Sequence, residues 1–299
     1  MELNAKQAMI VVNPKAGAGK AATAARGLAD ALAGIGYATV AITETRAAGH
    51  AQSLATQAAQ DGLDSLWVIG GDGTINEAGK GLLGTETTLG IVPMGSGNGL
   101  ARHLKIPMSP KNLFKSVPLL KRVSIDSGMI NAHNFFVSCG IGFDAVVANE
   151  FAKSQKRGFT TYATLAFHQY QKVQPFSYSL VTDSERIEGD ALVVALGNAP
   201  QYGNNAFICP RASMQDSLLH GTIIQPFPPL LAPLLAGSMF ANKLDVMPYV
   251  RTFITKELQL RMNSAQYFHA DGEALGKSDS LKISVGSEKL FVFSMSEKL

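Results

Sequence analysis

Along residues 8–122, short apolar runs alternate with longer amphipathic stretches rich in Ala and Leu. The runs at 8–12, 38–43, 66–69 and 89–92 are the strand candidates. Between them, 20–34 and 48–60 carry good helix formers. Thr74-Ile75-Asn76-Glu77 fits a capping box, which predicts a helix start immediately after a glycine cluster. Strand, glycine turn and helix in that order predict stacked βα units around a largely parallel sheet.

After residue 122 the texture changes. Strand-like runs at 135–139, 178–181, 192–196, 222–224, 258–262 and 281–285 are separated by Asn, Asp, Gly and Pro, with one helical stretch at 162–173. The pattern predicts a mostly antiparallel, β-rich, sandwich-like domain. The expected division is an α/β nucleotide-binding domain over 1–122 and a β-rich substrate domain over 123–299. A last run at 290–293 suits either domain, so 288–299 could return to the first.

Composition narrows the class. With 299 residues, 46% hydrophobic, and 26 basic against 23 acidic side chains, the chain is long enough for two cored domains and too apolar for disorder. A net charge of +3 without a basic block argues against a nucleic-acid partner. Cys139 and Cys209 form no metal-ligand spacing and no disulfide framework, which points to a reducing compartment and a cytoplasmic location. Met1–Gln7 lacks the basic, apolar and small-residue regions of an export leader. The uncharged stretch 223–241 is interrupted by Pro226, Pro228, Pro229 and Pro233, which break the helix a bilayer span requires; it fits a lip facing an interface or a substrate. Lys153, Lys156 and Arg157 form a small basic patch, either a solvated helix face or a surface steered to anionic headgroups. None of the six histidines pairs with another at the spacing of a helical zinc site, and only His269 neighbours a candidate carboxylate.

Three glycine clusters follow three of the predicted strands. Asn13-Pro14-Lys15-Ala16-Gly17-Ala18-Gly19-Lys20 looks like a phosphate loop but is no Walker A, since Pro14 replaces its first glycine and Ala21 its hydroxyl residue. Gly70-Gly71-Asp72-Gly73-Thr74 joins a buried strand to a helix start, where small residues let backbone approach phosphate and the helix end favours anions. Asp72 would repel phosphate unless a divalent cation such as Mg²⁺ bridges the two; otherwise it caps a turn. Pro93-Met94-Gly95-Ser96-Gly97-Asn98-Gly99 is the third. In the second domain, Asp271-Gly272-Glu273 offers two carboxylates around a glycine, either for acceptor deprotonation and metal binding or as an ordinary Asp-Gly turn. Asp126 is similarly ambiguous.

In this order the motifs resemble the diacylglycerol kinase catalytic-domain superfamily, which includes bacterial lipid kinases, sphingosine kinases and ceramide kinases. The opening Asn13-Pro14 separates the chain from NAD kinases and phosphofructokinases, which share a motif similar to Gly70–Thr74. The resemblance spans essentially the whole chain and implies ATP in a cleft between the two domains. It implies that Asn13, Pro14, Thr45, Gly71, Asp72, Gly73, Thr74, Gly95, Ser96 and Asn98 contact the nucleotide, with Glu273 beside nucleotide or metal. It assigns Asp72 and Asp126 to a Mg²⁺–water network, Asp271 to the general base, and Asp216 to a second, structural metal. Gly99 stands where bacterial diacylglycerol kinases carry Asp, which admits a sphingoid acceptor, and Ser217 stands where relatives with that structural metal carry Gly. The implied activity is ATP- and Mg²⁺-dependent phosphorylation of a lipid hydroxyl. Its implied partners are a lipid substrate at the membrane surface, met by peripheral contact at the inner face, and a second copy in a homodimer. A kinase of a soluble acceptor (NAD or a polyol) and a non-catalytic nucleotide-binding regulator are the alternatives.

Overall fold

The computed structural model describes residues 6–154, 159–170 and 172–299. The chain divides into two compact units, one running to Ile125 and completed by Glu288–Leu299, the other spanning Asp126–Ser287. Lys156 and Arg157 lie outside the described residues.

The first unit alternates strand and helix: β1 (Lys6–Val12), α1 (Ala21–Ala33), β2 (Tyr37–Glu44), α2 (His50–Gln60), β3 (Ser65–Gly70), α3 (Asp72–Leu82), β4 (Thr88–Pro93), the short α4 (Gly99–His103) and α5 (Pro110–Ser116), then β5 (Lys121–Ile125). Strands β1 to β4 pair in parallel, with β3 and β4 buried at every position, as continuous apolar runs demand. Helix α3 starts at Asp72 with Gly71 as its N-cap, two residues before Thr74. The capping box is not formed: the Glu77 carboxylate accepts the Ala51 N–H at 3.3 Å, so it serves the first turn of the neighbouring α2.

The sheet order is β2-β1-β3-β4-β16-β5, where β16 (Leu290–Ser294) comes from the far side of the second unit in sequence. It runs parallel to β4 and antiparallel to β5, and stacks Phe293 on the buried Trp67 with ring centroids 5.1 Å apart. Trp67 faces Gly90 across the β3–β4 ladder, and a Cβ at Gly90 would overlap the indole.

His103, on α4, has a buried Nε2 with no hydrogen-bond partner, and burial, then Lys105, pushes its pKa down to about 4. The unfolded chain binds this proton near pH 6.5 and the folded chain only near pH 4. The contribution of neutral His103 is therefore intact above 6.5 and is lost as pH falls toward 4. Urea unfolding followed by the single Trp67 should show wild type losing about 2 kcal/mol more than His103→Gln between pH 7 and 4.5. Equal losses would remove His103 from the account.

The second unit contains β6 (Gly128–Ile130), β7 (His133–Phe135), β8 (Ser138–Gly142), α6 (Phe143–Lys153), α7 (Phe159–Tyr170), β9 (Phe176–Thr182), β10 (Arg186–Ala191), β11 (Val193–Gly197), β12 (Leu219–Ile224), α8 (Ala232–Phe240), β13 (Val250–Thr255), β14 (Glu257–Ala270) and β15 (Glu273–Val285). All its strand pairs are antiparallel, in the order β13-β12-β11-β8-β14-β15-β6-β7 with β9 joining β10 to β14. Strand β14 pairs with β9 through Leu258–Met262 and with β8 through Phe268–Ala270. Phe135, Ile141, Leu180, Val194, Leu260 and Ile283 are among the side chains that close the core.

Sequence expectations change at several points: the helical stretch expected at 162–173 is α7 (Phe159–Tyr170), and the run at 281–285 is the end of the 13-residue β15. The run at 135–139 is two strands, because the chain turns at Phe136 and Val137. The run at 258–262 is the first part of a 14-residue strand. Helix α6 occupies a segment not foreseen as helical. Lys153 at its exposed end pairs with Glu150 at 2.7 Å, a contact of little energetic weight in solvent. Among the described residues no helix is long and apolar enough to cross a membrane. The proline-interrupted stretch folds as the end of β12, a turn and the nine-residue α8.

Candidate active site

In the first unit the three glycine turns follow β1, β3 and β4, at the carboxyl edge of parallel neighbours, where open α/β sheets bind ligands. Side chains lace the turns together. Asn13 Nδ2 donates to Thr74 Oγ1 at 2.9 Å, tying the first turn to the second, while its Oδ1 accepts the Lys15 N–H at 3.0 Å. Asp72 ties the second to the third: Oδ2 accepts the Asn98 N–H and Oδ1 the Gly99 N–H, both at 2.8 Å. Asn98, at φ +51°, closes its own turn by donating to the Gly95 carbonyl at 2.8 Å and accepting the Gly95 N–H at 3.0 Å.

Backbone approach explains two of the glycines. A Cβ on Gly95 would lie 2.8 Å from the Gly71 Cα, so the second and third turns touch through main chain. Gly71, Gly73 and Thr74 surround the amino end of α3, whose first N–H groups have no partner within the helix and suit an anion. Ser96 is exposed at the tip of the third turn and Pro14 at the first, while Asn98 is buried. Thr45 follows β2 and anchors to β1 through its N–H on the Val12 carbonyl at 2.8 Å.

Asp72 is thus first a clamp. Its two backbone bonds use two of about four carboxylate acceptor positions, which leaves room for one hard cation. That fits Mg²⁺, which is commonly held by one or two carboxylates together with phosphates and waters.

In the second unit Asp271 and Gly272 form the two-residue tip of the β14–β15 hairpin, with φ of +48° and +80°, the left-handed pair that such a turn demands. The Asp271 carboxylate accepts three backbone N–H groups: Phe136 at 2.8 Å, Val137 at 2.8 Å and Ser138 at 3.0 Å. The break between β7 and β8 supplies those donors. Glu273, opposite Ala270 in the ladder, is exposed.

Asp126 is buried, and its Oδ2 accepts the Ser217 N–H at 2.7 Å. Ser217 holds φ +57°, a left-handed conformation that glycine adopts without strain. Asp216 accepts the Leu218 N–H at 3.0 Å through Oδ1 and pairs with His220 at 2.9 Å through Oδ2. Among the described residues no three His, Cys, Asp or Glu side chains gather to hold a metal. The Asp216 carboxylate is engaged by a turn amide and by the His220 ring.

Three further side chains meet behind the hairpin tip. His269 and Asp144, 3% and 5% exposed, lie 3.2 Å apart, and the Tyr202 hydroxyl donates to Asp144 Oδ2 at 2.6 Å. Gly272 donates its N–H to His269 Nδ1 at 3.3 Å. Asp144 and Tyr202 carry no sequence signal of their own; His269 stood out only as a neighbour of Asp271. Asn198 bridges the Asp126 and Phe136 carbonyls at 2.7 and 2.8 Å, and its Oδ1 is buried without a partner. Burial, with smaller contributions from Asp144 and Asp271, raises the Cys139 thiol well above its usual value, and burial raises Cys209 to about 12.

Residues 7–130 match the diacylglycerol kinase catalytic domain, and residues 137–292 match the YegS C-terminal NAD kinase beta sandwich-like domain. A diacylglycerol kinase of Mycobacterium tuberculosis (strain CDC 1551 / Oshkosh) is 33% identical over 226 residues, covering 72% of each chain. A protein of Klebsiella pneumoniae (strain 342) named "Probable lipid kinase YegS-like" is 27% identical over 241 residues, covering 79% of this chain and 80% of that one. The crystal structure of a diacylglycerol kinase from Bacillus anthracis str. Sterne superposes with a TM-score of 0.71 at 20% identity, over 98% of both chains, and shares the fold.

Proposed function

This chain belongs to the diacylglycerol kinase family, and from that premise we propose that it is an ATP- and Mg²⁺-dependent lipid kinase acting on the hydroxyl of a diacylglycerol-like or sphingoid lipid. The observation that carries the proposal is the cross-linking of three glycine turns by Asn13–Thr74 and by Asp72 on Asn98 and Gly99. Such a preorganised set of backbone donors at a helix N-terminus suits a polyphosphate, and in phosphoryl transfer most of the protein's work is positioning and charge stabilisation.

In this reading Asn13, Thr45, Gly71, Gly73, Thr74, Gly95 and Ser96 serve the nucleotide. Asp72 is the carboxylate that would hold Mg²⁺, which when bound neutralises charge developing on the phosphates. Asp271 orients the acceptor hydroxyl and takes its proton. Because the transition state is loose, orientation matters more than early deprotonation, and three amide donors fix the position of the Asp271 carboxylate. Peripheral contact with a membrane is supported by Leu230 and Leu234, 90% and 54% exposed at the start of the α8 region.

A soluble acceptor is the second reading, motivated by the likeness of residues 137–292 to the NAD kinase sandwich. Transfer of radiolabelled γ-phosphate with Mg²⁺ to diacylglycerol, sphingosine, ceramide, NAD and glycerol side by side decides between them. A labelled lipid is the expected product. Label only on NAD or glycerol replaces the lipid reading, and ATP binding without any transfer leaves a nucleotide-binding regulator.

A further inference from the structure

We infer that Tyr202, Asp144 and His269 form a buried brace that positions the hairpin tip carrying Asp271, an inference that rests on the reading of Asp271 as the carboxylate that orients the acceptor. Burying an ionisable pair is costly unless every polar atom is engaged, and here the engagement runs in one direction. Gly272 N–H can only donate, so His269 Nδ1 is the acceptor and the ring proton sits on Nε2, facing Asp144 Oδ2. Asp144 collects that proton, the Tyr202 hydroxyl at 2.6 Å and the Ala145 N–H at 2.8 Å, and lies in the first turn of α6 where negative charge is favoured.

The fold makes room for this arrangement. A Cβ at Gly140 would overlap Asp144 Oδ2 and come within 2.5 Å of His269 Nε2, so that strand position has no space for any side chain. The brace reaches the tip from one side through Gly272, while the amides of Phe136, Val137 and Ser138 hold the Asp271 carboxylate from the other. The Asp271-Gly272 turn favours its left-handed backbone by itself, so the brace acts on where the tip sits. His269, Asp144 and Tyr202 are positioning residues: they act on the acceptor through the tip.

A histidine that only fills space would tolerate either amide replacement equally. The brace distinguishes them, because the Asn Oδ1 stands near the Nδ1 position and can accept the Gly272 N–H, whereas the Gln amide stands near Nε2 and keeps only the Asp144 link. The test compares full-length wild type with His269→Asn, His269→Gln, His269→Ala and Tyr202→Phe, by amide hydrogen exchange and by steady-state kinetics with the lipid acceptor. In His269→Ala and His269→Gln, exchange at residues 136–138 and 271–273 should rise about tenfold with the remaining amides unchanged. In the same two variants kcat should fall about tenfold or more while KM for ATP stays within about twofold. His269→Asn, which keeps the Gly272 link and loses the Asp144 link, should fall between these two variants and wild type in both readouts, and Tyr202→Phe should lie between His269→Asn and wild type. The brace is overturned if Asn and Gln behave alike, if exchange at the tip does not respond, or if the tip loosens with kcat unchanged. A wild-type chain that transfers no phosphate to lipid sinks the functional reading instead, and the exchange pattern still decides whether the brace exists.

Discussion

Asp271→Asn should lower kcat for phosphoryl transfer by about 10²–10⁴ and leave ATP affinity within about twofold of wild type. The three backbone N–H groups that now meet a carboxylate would meet an amide with one oxygen and one NH₂ group. At least one donor then faces a donor, and the hydroxyl of the lipid loses a charged acceptor. Nucleotide affinity should survive because the glycine turns and the amino end of α3 belong to the other unit. The check is kcat at saturating lipid together with an ATP binding isotherm on the same preparation. Near-normal turnover would remove Asp271 from the role.

Asp72→Asn should act differently, because Asp72 joins two turns before it meets any ligand. The N–H groups of Asn98 and Gly99 both lose a charged acceptor, and one of them then faces an NH₂ donor. The expected loss is about 2 kcal/mol of stability in the first unit, with turnover down about 100-fold and ATP binding weakened by about tenfold or more. Urea unfolding followed by Trp67 fluorescence measures the first effect, and ATP titration with and without Mg²⁺ the second. A variant that loses stability but binds ATP normally would make Asp72 a clamp alone.

The first unit was readable because β1, β3 and β4 are apolar runs, each followed by a glycine turn and a helix, whereas β2 at the sheet edge alternates half-buried and exposed positions. The second unit was harder for reasons that particular residues make plain. Phe136 and Val137 read as strand interior, yet their N–H groups leave the ladder for a carboxylate far along the chain. Phe143–Lys153 is helical, but Val146 and Val147 beside an apolar strand hide its start. Asp72, Asn98 and Asp271 could be picked out as candidates from motif order, while their hydrogen-bond partners could not, because those are fixed by tertiary proximity. Asp144 and Tyr202 leave no mark because a lone Asp or Tyr in a sequence carries no spacing to read. Thr74-Ile75-Asn76-Glu77 misled for the opposite reason: the local pattern was present, and Glu77 found a better partner on α2.

The position of β16 has a consequence for biosynthesis. Its partners β4 and β5 leave the ribosome before the whole second unit, and β16 itself emerges after it. At roughly 5–20 residues per second, the gap between β4 and β5 stays open for something on the order of ten to thirty seconds, with Trp67 lacking Phe293. The contiguous span Asp126–Ser287, by contrast, carries all of its own strand partners once it has been made. Vectorial synthesis therefore favours completion of the later unit first, and the nascent α/β sheet, with unpaired edges facing the gap, is the segment that chaperones would need to shield.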